Sequence, residues 1–111
     1  MSFVYLASPY SHDDPDVVEE RVRVAGAVAA RMMEFGVAVF SPVVHSHYIC
    51  DHLPPSMRYD HEFWMTQDLA VLKSASKLVV LQLKGWKRSR GVAREIAAAE
   101  AVGIPVVYVK P

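Results

Sequence analysis

The chain has 111 residues, with 12 acidic and 12 basic side chains, and 52% of its residues are apolar. This length predicts one domain over residues 1–111, and the apolar content excludes a disordered protein. Zero net charge argues against a nucleic-acid polymer or an anionic membrane as the partner, because both favour a basic excess.

The N-terminus and the cysteine content predict a cytoplasmic protein. Residues 1–5 include neither a basic segment nor a long apolar stretch, so we expect no signal peptide and no membrane span. Cys50 is the single cysteine, which allows no intrachain disulfide and fits a reducing compartment.

Short apolar runs alternate with helical patterns along the chain. The predicted order is a strand at 3–7, a helix from Pro15 to about Phe35 capped by Asp14, a strand at 37–40, a helix at 61–74, a strand at 78–83, a helix at 91–102 and a strand at 106–109. Apolar runs without polar alternation are typical of strands buried on both faces. The order therefore predicts an α/β fold, an open parallel sheet of about four strands in the flavodoxin-like (Rossmann-like) order 2-1-3-4, with helices on both faces.

The segment Ser41–Asp60 shows no clear periodicity, so we expect a long loop. Loops of this length inside a compact domain are usually functional. Ligands of such sheets bind at the carboxyl ends of the strands, where this loop would lie.

Two carboxylates fall on helix faces that should be apolar. Glu95 lies three residues after Val92 and four before Ala99, so it points inward near the ligand end of the sheet. Asp68 lies four residues before Leu72 on the inward face of the preceding helix. Burying a lone carboxylate costs several kcal/mol unless it is paired. Both positions are therefore candidate catalytic residues. The structural alternatives are that Glu95 stabilises its helix start and that Asp68 pairs with a buried arginine.

Several other polar residues are candidates for ligand contacts. Arg21 lies on the inward face of the first helix. It is a candidate structural partner of Asp68 or a candidate substrate ligand. Ser89 and Gly91 open a helix and could hold an anion beside basic residues, while Trp86 could stack on a base or pack in the core. His45 follows the second strand and is a candidate substrate contact or a structural histidine.

The ordered motifs of this chain resemble one known group of enzymes. Residues 89–95 resemble the Ser-x-Gly-x-x-x-Glu signature of the nucleoside 2-deoxyribosyltransferase-like superfamily, which includes the deoxynucleoside 5′-monophosphate N-glycosidases and a small bacterial and phage family. The segment Tyr5–Tyr10 looks like that group's first strand and sugar-binding loop, and residues 68–72 look like its Asp-Leu helix.

The resemblance implies specific roles for these positions. Glu95 would be the nucleophile and Asp68 would orient the sugar or handle the proton of the leaving base. Ser89 and Gly91 would hold a 5′-phosphate, and Ser8 and Tyr10 would line the sugar loop. No cofactor or metal is implied.

The sequence therefore predicts cleavage or transfer of the N-glycosidic bond of a small nucleoside or nucleotide. We also expect a homo-oligomer, because a small sheet has open edges that can pair with another copy. One alternative is a nucleotide-binding module without catalysis. A second is a metal-dependent hydrolase that uses the histidine-rich segment from His45 to His52.

Overall fold

The computed structural model describes residues 2–111, which form one four-stranded sheet. Its strands are β1 (Val4–Ala7), β2 (Val39–Phe40), β3 (Lys77–Leu81) and β4 (Val106–Val109). All neighbouring strands are parallel, in the order β2-β1-β3-β4. The predicted fold class and strand order are confirmed.

Helices cover both faces of this sheet. They are α1 (Pro15–Glu34), α2 (Pro42–Ile49), α3 (Pro55–Arg58), α4 (His61–Leu72) and α5 (Arg90–Ala101), and single 3₁₀ turns span Cys50–His52 and Trp86–Arg88. One core joins alternate β1 and β3 residues to α4 and α5, and the other joins the intervening residues to α1. The helix α1 therefore lies on one face of the sheet, and α4 and α5 lie on the other.

Side-chain caps fix where the long helices begin. Asp14, Ser41, Asp60 and Ser89 each accept a hydrogen bond from a first-turn amide of the helix that follows. Such a cap contributes about 1 kcal/mol to stability. The predicted helices and strands end within about two residues of the observed ones, which is the usual scatter of element ends.

The prediction that Ser41–Asp60 is a loop is wrong. Ser41 caps α2, its Oγ accepting from the amide of Val44 at 3.2 Å, and Pro42 occupies the first helical turn. Helical periodicity is missing from the sequence because apolar side chains of α2 lie on more than one side: Val43 is buried, whereas Ile49 is 42% exposed.

Burial differs at two places from what the apolar residues of the sequence suggest. Phe35, at the end of the predicted first helix, is 82% exposed, because the helix ends at Glu34 and Phe35 follows as its C-cap. The strand β4 was expected to be buried on both faces, but Tyr108 is 46% exposed because β4 lies at the edge of the sheet.

Candidate active site

A buried carboxylate lies at the centre of the candidate site. Glu95 of α5 is 3% exposed, so the prediction that it points inward is confirmed. Its Oε2 accepts a hydrogen bond from the hydroxyl of Tyr5, a fully buried residue of β1. The pair joins α5 to the middle of the sheet.

Burial controls the protonation of this carboxylate. Removal from water raises the pKa of Glu95 to about 8, the Tyr5 hydrogen bond opposes that rise, and the negative charge of Asp68 adds to it. Burial, with the charges of Glu95 and Asp68, also raises the pKa of Tyr5, which keeps its hydroxyl protonated as a donor. Glu95 therefore carries a proton at pH 7 in the free protein.

Asp68 provides the second carboxylate, on α4. Its side chain is partly buried, and this burial raises the pKa of Asp68 to about 6. Asp68 thus titrates close to neutral pH, within electrostatic range of Glu95 and Tyr5. Two carboxyl groups with different raised pKa values can divide the roles of proton donor and nucleophile.

A cleft of about 280 Å³ opens beside Asp68, between α2 and α4. Its walls are mainly apolar and aromatic, and its polar side chains are His45, Ser46, Gln67 and Asp68. A cavity with flat apolar walls and a few polar groups suits a planar ring with hydrogen-bonding edges.

Aromatic contacts connect this cleft to the buried pair. The Phe40 ring, on the cleft wall, lies 5.8 Å from the Tyr5 ring and 5.1 Å from the His45 ring. Glu95 is not among the residues that line the cleft. Asp68 therefore faces the cleft directly, and Glu95 lies one layer deeper, on the hydroxyl of Tyr5.

The loop after β1 places Ser8 and Tyr10 outside the cleft lining. The Tyr10 hydroxyl is hydrogen-bonded to His47 Nδ1 at 2.8 Å, and His47 Nε2 lies 3.0 Å from Glu19 Oε1. Ser8 is 6% exposed, and within residues 2–111 its Oγ has no hydrogen-bond partner. Buried hydroxyls normally find partners, so Ser8 keeps an unused donor at the carboxyl end of β1.

Arg21 stabilises two loops at the carboxyl edge of the sheet. Its guanidinium donates to the carbonyl of Ser11 at 2.8 Å and to that of Lys84 at 3.1 Å. Gly85 permits this approach, since a Cβ there would lie 2.8 Å from the Arg21 Nη2 and its φ is +93°. A pairing of Arg21 with Asp68 is wrong, because α1 and α4 lie on opposite faces of the sheet.

The start of α5 forms a basic surface next to a second cavity. Ser89 Oγ accepts from the amide of Val92 at 3.2 Å, which leaves its own O–H free to donate. The cavity, about 320 Å³, is lined by residues 82–88, which include Lys84, Lys87 and Arg88. None of these three cations forms an ion pair with any residue in the range 2–111.

Trp86 borders the same cavity and packs away from the cleft between α2 and α4. Its ring lies 5.6 Å from the ring of Tyr108, and the ammonium of Lys87 lies 5.7 Å from its centroid. The side chain also packs against the core beneath α4 and α5. These contacts match the alternative in which Trp86 packs in the core.

The histidine-rich segment is divided between two sides of α2. His45 faces the cleft, whereas His47 faces Tyr10 and Glu19. In residues 2–111, no three His, Cys, Asp or Glu side chains are grouped closely enough to hold a metal ion. Over the same residues, no helix is both long and apolar enough to cross a membrane.

Sequence reasoning missed two residues of this site. The Tyr5 hydroxyl was detectable in principle, because a tyrosine within a buried apolar strand needs a hydrogen-bond partner. The second is Trp64, whose indole lines the cleft and donates to the Arg58 carbonyl at 2.8 Å. Its role depends on the position of α2, which the sequence pattern did not predict.

The fold of this chain is similar to that of a solved enzyme structure. The solved structure of the 2-deoxyribosyltransferase from the psychrotolerant bacterium Bacillus psychrosaccharolyticus superposes with a TM-score of 0.69 and 24% identity, covering 99% of this chain and 73% of that one. This similarity shows a shared fold, as the sequence resemblance implied. Comparison with curated proteins gives no match. A family model described as a domain of unknown function, DUF1937, matches residues 2–110, and the chain therefore belongs to that family.

Proposed function

We propose that this protein breaks or transfers the N-glycosidic bond of a deoxynucleoside or its 5′-monophosphate, with Glu95 as nucleophile and Asp68 as proton donor. The observation that carries the proposal is the buried Glu95, hydrogen-bonded to Tyr5 and coupled electrostatically to Asp68 at the edge of a cleft. The similar fold of a 2-deoxyribosyltransferase supports the same chemistry.

The proposed reaction has two steps. The Glu95 carboxylate attacks the anomeric carbon, the N-glycosidic bond breaks, and the base leaves with a proton from Asp68. A glycosyl ester of Glu95 remains. Water or a second base then attacks its anomeric carbon, gives its proton to Asp68 and releases the Glu95 carboxylate. Before the attack Glu95 must lose its resting proton and Asp68 must gain one, because only a carboxylate is nucleophilic and the leaving base takes its proton from Asp68. The reactive form is therefore a minor protonation state of the pair at pH 7.

The cleft between α2 and α4 is the proposed site of the base. Phe40, Phe63 and Trp64 offer flat faces for stacking, and Gln67 offers both a donor and an acceptor to the base edge. Asp68 lines the same cleft, which would place the proton donor next to the glycosidic nitrogen. Bringing the anomeric carbon to Glu95 requires the rings of Phe40 or Tyr5 to shift on binding, since Glu95 is 3% exposed.

The start of α5 is the proposed site of a 5′-phosphate. Helix amino ends bind anions through free first-turn amides, here including that of Gly91, and the Ser89 hydroxyl can donate to the same group. The cations Lys84, Lys87 and Arg88, which line the neighbouring cavity, would add attraction for a phosphate. We therefore expect the monophosphate to bind more tightly than the nucleoside, and the difference to shrink at high salt.

A panel of the four deoxynucleosides and their 5′-monophosphates, each incubated with and without a second free base, tests the activity, with the released base measured by chromatography. Wild-type protein should release base from at least one member. Glu95→Gln should lose about 10²-fold or more of the rate, as loss of a covalent nucleophile does. Glu100→Gln, on the exposed side of the same helix, should keep the wild-type rate. Folded protein that releases no base from any member, with or without a second free base, would reject the proposal.

The second candidate is a nucleotide-binding module without catalysis. The observation that favours it is the depth of Glu95, which lies off the cleft surface. It predicts equal nucleotide affinities for wild-type protein and Glu95→Gln, with no base released by either. Mass spectrometry of protein quenched during turnover separates the two candidates, because a deoxyribosyl adduct on Glu95 arises only in the catalytic one.

A further inference from the structure

A chain of three side chains joins α1, α2 and the loop after β1. The Tyr10 hydroxyl meets His47 Nδ1 at 2.8 Å, and His47 Nε2 meets Glu19 Oε1 at 3.0 Å. The His47 side chain is 12% exposed, whereas that of Glu19 is 66% exposed. The chain thus runs from a partly buried hydroxyl to a carboxylate at the surface.

The partners determine the direction of these hydrogen bonds. The Glu19 carboxylate is an acceptor, so His47 Nε2 carries the proton. In a neutral imidazole Nδ1 is then an acceptor, and the Tyr10 O–H donates to it. Burial and the neighbouring charges of Cys50, Asp51, Glu19 and Tyr59 raise the pKa of Tyr10 to about 12, so its hydroxyl stays a donor across the neutral range.

These contacts hold α2 from the side opposite the cleft. The helix α2 packs on α1 and β1, and the cleft separates it from α4. His45, Ser46 and Ile49 of α2 form one cleft wall, while His47 faces Tyr10 and Glu19. A movement of α2 away from Tyr10 and Glu19 therefore lengthens the His47 contacts and brings the α2 wall of the cleft closer to α4.

We propose that His47 and Glu19 are positioning residues, which fix α2 through Tyr10 and so set the width of the cleft between α2 and α4. The proposed ligand, a planar nucleobase, rests on the proposed function; the control of α2 rests on the contacts alone. Breaking the chain of hydrogen bonds releases the α2 wall and weakens binding of the base. The chemical step changes little, because neither Asp68 nor Glu95 lies on α2.

The first measurement needs no ligand. Hydrogen exchange of residues 42–49 should accelerate roughly three- to tenfold in Glu19→Ala and in His47→Phe, which each remove at least one hydrogen bond of the chain. Exchange of residues 90–101 should stay unchanged. Glu20→Ala is the matched control, since Glu20 lies on the same helix and pairs with Arg23 at the surface.

The second measurement compares ligand binding with turnover. For the best substrate of the nucleoside panel, Glu19→Ala should raise the dissociation constant roughly three- to tenfold and leave the single-turnover rate at saturation within about twofold. Glu19→Gln keeps an acceptor for Nε2 and should restore most of the affinity. The double variant Glu19→Ala/His47→Phe should bind no more weakly than His47→Phe, because both changes break one chain.

The outcomes separate the two proposals. The positioning role is overturned if hydrogen exchange at residues 42–49 is unchanged in Glu19→Ala, or if Glu20→Ala accelerates it equally. Glu19 is 66% exposed, so Glu19→Ala should fold even if His47→Phe does not. Faster exchange with an unchanged dissociation constant also overturns it. Faster exchange in a protein that binds no nucleoside rejects the proposed function and limits the positioning role to α2 itself.

Discussion

Replacement of Glu95 by glutamine should make the protein more stable than wild type at alkaline pH. The pKa of Glu95 is raised from its ordinary 4.5 to about 8 in the folded protein, mainly by burial. Between those values the folded state keeps a proton that the unfolded state has lost, so the free energy of unfolding falls as pH rises. At 1.36 kcal/mol per pH unit, the loss is at most about 5 kcal/mol. Glutamine has a similar shape, cannot ionise, and retains an acceptor for the Tyr5 hydroxyl.

Urea unfolding at pH 5, 7 and 9 measures this effect. Wild type and Glu95→Gln should have similar free energies of unfolding at pH 5. At pH 9 the free energy of unfolding of Glu95→Gln should be several kcal/mol higher than that of wild type. Glu100→Gln removes an exposed carboxylate from the same helix and should follow the wild-type curve. A difference between Glu95→Gln and wild type that stays constant from pH 5 to 9 would refute the assignment of Glu95 as a buried, protonated acid.

Three further predictions concern the Glu95 site and the loop at Gly85. The kcat/KM for base release should follow a bell-shaped pH profile that rises to about pH 6 and falls above about pH 8, because the reactive form holds one proton, on Asp68 and not on Glu95. A flat profile measured in overlapping buffers would contradict this. Tyr5→Phe removes the hydrogen bond that lowers the pKa of Glu95, so the fall in kcat/KM at alkaline pH should move to higher pH, and the variant should lose about 1–3 kcal/mol of stability in urea unfolding. Gly85→Ala puts a Cβ 2.8 Å from the Arg21 guanidinium at a positive φ, and should lower thermal stability, whereas Gly26→Ala, with its nearest contact at 3.8 Å, should not.

Much of the fold could be predicted because its determinants are local. Asp14, Ser89 and the apolar runs mark where helices begin and strands lie, and the right-handed crossover rule then gives the strand order. The inward orientation of Glu95 followed from its spacing to Val92 and Ala99. The same crossover rule also places α1 and α4 on opposite faces, so the error over Arg21 and Asp68 was avoidable.

The cleft could not be predicted because it depends on α2. The sequence from Pro42 to Ile49 has no apolar stripe, since its side chains contact α1, the sheet and the cleft on different sides. Without α2 there was no reason to place His45 opposite Trp64, or to join His47 to Glu19. Contacts between residues distant in sequence, with no periodic signal, become visible only in the folded structure.

The energetics of Glu95 are themselves an argument for function. A leucine or methionine at this position of α5 would pack into the same core without the cost of holding a carboxyl group at 3% exposure. The Tyr5 hydroxyl would need no partner if it were a phenylalanine, so neither polar group is required for folding. Natural proteins retain such costs mainly where activity requires them. A buried acid, its dedicated donor and a second raised-pKa carboxylate on a cleft wall are thus better explained by chemistry on a bound ligand than by stability.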